Sequence, residues 1–176
     1  MKKNIIIFDL TSCKGCKAEF LRVFRDPTFH HIKEYFKIQS LNILTKKEKN
    51  SLFDIAFISG APTSEKQIQS LKQIRKNSKI IIALGSCASI GGILSMPDQY
   101  KTEGFIRHIY TKRYKTSFIV PKPISNYIKV DYEFSACPID SLELKQLLTD
   151  IAHDKPLVTN DFSVCKECKL RGNDCL

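Results

Sequence analysis

The feature that most constrains this chain is the repeated placement of cysteine just beyond an apolar run. Ile5-Ile6-Ile7-Phe8 leads into Ser12-Cys13-Lys14-Gly15-Cys16, and Ile80-Ile81-Ile82-Ala83-Leu84-Gly85 leads into Ser86-Cys87-Ala88. A third apolar stretch, Ile128 to Phe134, leads into Ala136-Cys137-Pro138. Runs that are apolar at consecutive positions read as strands covered on both faces, as in a parallel sheet between helical layers. In an open sheet of that kind the carboxyl ends of the strands share one rim, and ligands bind there. The expectation is an α/β fold whose rim gathers Cys13, Cys16, Cys87 and Cys137 into a four-thiolate site.

The intervening segments supply the helices such a sheet needs. Strands are expected over 4–10, 36–44, 53–58, 79–85 and 128–134. Lys17 to Arg25 places Phe20, Leu21 and Phe24 on one side of a helix closed by Asp26-Pro27. Ser64-x-x-Gln67 resembles a capping box ahead of Ile68, Leu71 and Ile74. Asp140 can cap a helix carrying Leu144, Leu147, Leu148 and Ile151, which His153-Asp154-Lys155-Pro156 stops. The order β-α-β-β-α-β suits helices crossing between parallel neighbours. Ile90-Gly91-Gly92-Ile93 reads as a tight backbone where a bulky cofactor approaches. Gln99 to Asn126, basic and aromatic, has no clear pattern. Residues 1–155 form the expected domain, and 156–176 form a tail with its own cysteines, Cys165, Cys168 and Cys175.

Seven cysteines, an odd count, fit a closed disulfide framework poorly and point to metal or redox chemistry. The apolar runs are too short to span a bilayer. Asp9 interrupts the first of them, no cleavage site follows, and the chain is expected in the cytoplasm. The net charge of +10 permits nucleic-acid binding, but no helix-turn-helix, finger or RNA-binding signature accompanies it, so nucleic acid is not an expected partner. The adjacent His30 and His31 receive no role.

Four thiolates suit tetrahedral zinc or an iron–sulfur cluster. Zinc sites usually draw closely spaced ligand pairs from a small ribbon, whereas Cys87 and Cys137 stand far along the chain, which favours a larger group such as a 4Fe–4S cluster. Gly15 and Gly85 would let backbone N–H groups reach cluster sulfurs. A dithiol redox pair at Cys13 and Cys16 leaves Cys87 and Cys137 unexplained. A zinc-stabilised interaction or regulatory module is the alternative from a different functional class.

The ordered set of Cys-x-x-Cys after the first strand, Gly-Ser-Cys-Ala after a buried strand, and Cys-Pro before a leucine-rich helix resembles the small subunit of nickel–iron hydrogenases. The likeness is greatest to the cytoplasmic sulfhydrogenase delta and the coenzyme-F420- or methyl-viologen-linked types. It extends through Ile80 to Ile93, Lys122 to Asp140, and Val164 to Cys175. The resemblance implies a flavodoxin-like domain in which Cys13, Cys16, Cys87 and Cys137 bind a proximal 4Fe–4S cluster. The implied partner is a large subunit that holds the nickel–iron centre, with further electron-transfer subunits beyond it. A complex I subunit of similar fold is the nearest alternative, but its first motif typically has adjacent cysteines. The chain departs from the pattern at Ala136, where glycine is usual, and at Ser59, where a glutamate often stands. Glu19, near the first motif, is assigned to surface charge or capping. Cys165, Cys168 and Cys175 offer three ligands toward a second cluster or a zinc ion, leaving a fourth to be supplied.

Overall fold

A computed structural model describes residues 2–41, 51–96, 119–157 and 164–174. Five parallel strands form one sheet in the order β2-β1-β3-β4-β5, with β1 at Lys3–Asp9, β2 at Phe36–Leu41, β3 at Phe53–Ser59, β4 at Ser78–Leu84 and β5 at Tyr132–Phe134. This is the flavodoxin-like order, in which the direction of winding reverses between β1 and β3 and opens a crevice at the carboxyl edge.

Alternate side chains of each strand enter separate cores. Ile5 and Ile7 of β1, Ile55 and Phe57 of β3, and Ile82 and Leu84 of β4 face one layer. There they meet Phe20 and Val23 of α1 (Gly15–Arg25), Ile32 of α2 (His30–Lys33), and Leu144, Leu147, Leu148 and Ile151 of the later helix at Ser141–Ala152. On the opposite face Ile6, Phe8, Ala56, Ile58, Ile81 and Ala83 pack against Leu71 and Ile74 of α3 (Glu65–Asn77) and Ala88 of α4 (Ser86–Ile90). Burial of both strand faces explains the unbroken apolar runs. Each fully buried Ile or Phe contributes about 1.5–3 kcal/mol of transfer free energy. Phe20 stacks on Phe24 at 5.0 Å and meets the Phe57 ring edge-on at 5.0 Å, locking α1 to the sheet.

Among the described residues the remaining α-helices are α5 (Gly92–Ser95), α6 (Ser141–Ala152) and α7 (Val164–Leu170). The Asp140 carboxylate caps α6, accepting from the Leu142 and Glu143 amides at 2.9 and 3.0 Å. Ser64 caps α3, but Gln67 Oε1 accepts from the Thr63 amide at 2.8 Å, one residue earlier than a standard capping box. Among the described residues no helix is long and apolar enough to cross a membrane.

One strand expectation needs amendment. The last strand begins at Tyr132 rather than Ile128. Asp131 lends its carboxylate to the Ile81 amide at 2.8 Å while its own amide donates to the Ile81 carbonyl at 3.0 Å, so a side chain replaces the ladder at this point. Before it, Ile124–Asn126 forms a 3₁₀ turn that buries Ile124. The second strand is described through Leu41; its expected continuation to 44 lies outside the described residues, as do residues 99–118 of the basic aromatic stretch. The glycine-rich run after Cys87 holds two short helices, broken at Gly91.

Candidate metal centre

Each expected cysteine follows a strand's carboxyl end. After β1 the chain makes an isolated antiparallel bridge between Thr11 and Ala61, then turns at Lys14, whose φ of 68° is left-handed. That turn aims the amide of Gly15 back at Cys13 Sγ, 3.4 Å away, and opens α1. Cys16 lies in the first turn of α1, half-buried and packed against the core layer that holds Ile7 and Phe20. Cys87 occupies the first turn of α4 and is also half-buried. Cys137 is tied to the Cys87 loop, because the Gly85 amide donates to Phe134 O at 2.7 Å and the Ser86 amide to Ala136 O at 2.9 Å. Ser135 Oγ adds a bond to Ser89 Oγ at 2.7 Å, and Ser89 in turn donates to Gly85 O at 3.2 Å.

Gly85 is the residue on which the cradle depends. Its φ of 84° and ψ of 164° fall in a region open essentially to glycine alone. A Cβ there would overlap Cys16 Sγ and come within 3.3 Å of Ala136 O. A Cβ on Gly92 would lie 3.1 Å from Cys87 Sγ. The thiols thus sit in spaces that side chains at these positions would fill.

The four sulfurs feel one another. Burial pushes the Cys16 thiol up; the Ile139 amide partly offsets this, and the neighbouring Cys13 and Cys137 raise it further. Cys87 is likewise raised, first by burial and then by Cys137, Cys13 and Cys16. Cys13 and Cys137 are exposed, and all four are unbridged. Among the described residues, however, no three Cys, His, Asp or Glu side chains converge as a single metal ion requires. Zinc holds sulfurs about 2.3 Å from one centre. Four unbridged thiols after three strand ends, with glycine leaving space beside Cys16 and Cys87, have the donor chemistry of a Cys₄ iron–sulfur site.

The tail set is not assembled among the described residues. Cys168 is a half-buried free thiol in α7 and its carbonyl accepts from the Asn173 amide at 3.2 Å, whereas the Cys165 side chain and Cys175 lie outside what the structure describes. His30 and His31 are exposed on α2. Glu19 pairs with Arg22 at 2.7 Å on the surface of α1. Ser59 is buried, in register with Asp9 of β1.

Sequence reasoning missed Asp9 and Lys17. The Asp9 side chain is wholly buried, and Lys17 Nζ lies 2.6 Å from its Oδ2. The contact is out of line for a hydrogen bond, and neither Asp9 oxygen has a hydrogen-bond partner among the described residues. The available signal was a carboxylate ending a strand that is otherwise apolar on both faces.

Residues 13–151 match the family model described as NADH ubiquinone oxidoreductase, 20 Kd subunit. The chain is 30% identical over 170 residues to sulfhydrogenase 2 subunit delta of Pyrococcus furiosus, covering 97% of this chain and 70% of that one. It is 26% identical to a vhu subunit of the F420-non-reducing hydrogenase of Methanocaldococcus jannaschii, covering 92% of this chain and 60% of the relative. In fold it is similar to a chain of the crystal structure of an NAD+-reducing [NiFe]-hydrogenase in the H2-reduced state. That match has a TM-score of 0.73 and 22% identity, and covers 94% of this chain and 98% of the other.

Proposed function

The chain belongs to the NADH ubiquinone oxidoreductase 20 kDa subunit family, and from that premise we propose that it is the iron–sulfur electron-transfer subunit of a cytoplasmic nickel–iron hydrogenase. The observation that supports this reading is that four unbridged thiols follow the carboxyl ends of three strands, with Cys87 raised by Cys137, Cys13 and Cys16 as well as by burial. Relatives named as hydrogenase subunits support it. Cys13, Cys16, Cys87 and Cys137 would hold a 4Fe–4S cluster, the group that Cys₄ sets commonly bind.

When bound, that cluster supplies one-electron transfer between a hydrogen-activating centre in a partner subunit and downstream acceptors. The protein's own part is to bind, orient and tune. The Gly15 amide donates to Cys13 Sγ, and the Ile139 amide favours the thiolate form of Cys16. Gly85 leaves room for Cys16, and the Ser135–Ser89 bond holds the two distant single cysteines in register. Exposure of Cys13 and Cys137 leaves the rim open for the large subunit to cover. Cys165, Cys168 and Cys175 are proposed as three ligands of a second iron–sulfur or zinc site completed from elsewhere.

Anaerobic iron, acid-labile sulfide and zinc analysis of the purified protein tests the reading. It requires about four irons and four sulfides at the rim site, lost in Cys87→Ala together with hydrogen–dye activity of the complex. Zinc without sulfide would overturn it in favour of a zinc-stabilised module.

A further inference from the structure

The inner face of α1 does not stay apolar up to the rim. Lys17, Phe20 and Phe24 recur at helical spacing along it, and Phe20 and Phe24 pack into the layer that also receives Ile5 and Ile7 of β1. Asp9, next in that alternation, ends the β1 side of the layer, and Lys17 ends the α1 side. The two charges meet there at 2.6 Å, with the carboxylate wholly buried and the lysine side chain 21% exposed. Cys16, adjacent to Lys17 in sequence, packs against the same layer.

Stability does not explain this pair. A buried ion pair is often no better than apolar residues of the same size, and among the described residues neither oxygen of this carboxylate has a hydrogen-bond partner. A lysine on a helix edge ordinarily extends its ammonium to water; here it is directed at Asp9 instead. Such an arrangement does matter to a neighbouring site whose charge changes, because fields in a dry layer are weakly screened.

We propose that Asp9 and Lys17 form a buried charge-balancing pair that sets the reduction potential of the rim site, an inference that rests on the cluster reading above. Reduction adds one electron, and so one negative charge, to a site already holding four thiolates. Left alone, the Asp9 carboxylate opposes that addition; the Lys17 ammonium cancels it. The pair therefore acts through its field and is not a ligand.

The test is an EPR-monitored redox titration, with dithionite as reductant, of the protein purified anaerobically with any subunits that accompany it. Lys17→Met exposes the site to an unbalanced carboxylate and lowers the midpoint potential. Adding Asp9→Asn to that variant brings the potential back to the native value, and Lys17→Arg alone leaves it there. A purely structural role predicts the reverse, with the double variant at least as disturbed as the single. An unmoved potential in Lys17→Met, or a double variant displaced further, overturns the proposal. Should Lys17→Met fail to load iron, Asp9→Asn alone decides: a potential above native supports the pair, and one at or below it refutes it. Iron and sulfide analysis of the native protein separates the two readings. Native protein without a cluster overturns both, whereas a loaded cluster insensitive to these charges overturns this inference only.

Discussion

Replacing Gly85 by alanine tests the geometry of the rim most sharply. The substitution has two separable effects. With φ at 84° and ψ at 164°, a non-glycine residue pays about 1–3 kcal/mol of backbone strain. The new Cβ also overlaps Cys16 Sγ and crowds Ala136 O at 3.3 Å, an overpacking worth a further ~1–3 kcal/mol. The total, about 2–6 kcal/mol, is a large part of a typical domain stability of about 5–15 kcal/mol. For a chain of this size it lowers the melting temperature by about 4–24 °C. The control is Gly172→Ala, where φ is 72° but nothing lies within 4 Å of the added carbon. That variant carries backbone strain alone, about 1–2 kcal/mol. Urea denaturation of both proteins, with iron and sulfide counted on the same samples, reads out the difference. Gly85→Ala is expected to lose metal out of proportion to its lost stability, because the displaced atom is the sulfur of a proposed ligand, whereas Gly172→Ala retains it. Equal stability losses and equal iron contents in the two variants would refute the close approach of Cys16 to Gly85.

Other contacts give further expected outcomes. Phe20→Ala removes the ring between Phe24 and Phe57 and costs about 3–5 kcal/mol in urea unfolding at neutral pH. Ser135→Ala breaks the bond to Ser89, costs about 1 kcal/mol, and lowers iron retention under chelator challenge by loosening Cys137 against Cys87. Asp131 is expected to make stability pH-dependent. Burial would raise its carboxyl, but the Ile81 amide and the Arg75 guanidinium, 2.6 Å away, outweigh burial and hold it below the ordinary range. Because the folded value is depressed, its contribution is present above the unfolded value of about 3.9 and is lost as pH falls through the folded value. Asp131→Asn therefore costs about 1–2 kcal/mol at pH 7, discounted for partial exposure, and the gap from native closes in acid. A gap that persists below about pH 3 would count against the ion-pair origin.

The sequence reached the fold through one physical regularity. Ile5 to Phe8 and Ile80 to Leu84 are apolar at every position because both faces of those strands are covered, and covered parallel strands put their carboxyl ends on one edge. The cysteines just beyond those ends could therefore be proposed as a group, and the ordered motifs pointed to the family whose model matches residues 13–151. Helix caps were legible too, since Asp140 and Ser64 act through bonds two or three residues away. What local pattern could not give was any feature decided by a distant partner. The Ile128–Asp131 stretch looks like strand, yet its pairing is set by the Asp131 carboxylate on Ile81, fifty residues away. In the sequence Gly85 reads as a glycine that frees a backbone N–H for a nearby sulfur, whereas its close approach to Cys16, which leaves no room for a side chain, is seen only in the packed structure. Asp9 read as a charge interrupting an apolar run. Its burial against Lys17 exists because α1 folds back over β1, a relation that neither segment encodes alone. Periodicity and spacing depend on neighbours along the chain and so belong to the sequence. Burial, close approach and charge pairing depend on which surfaces meet, and the packed layers alone decide them.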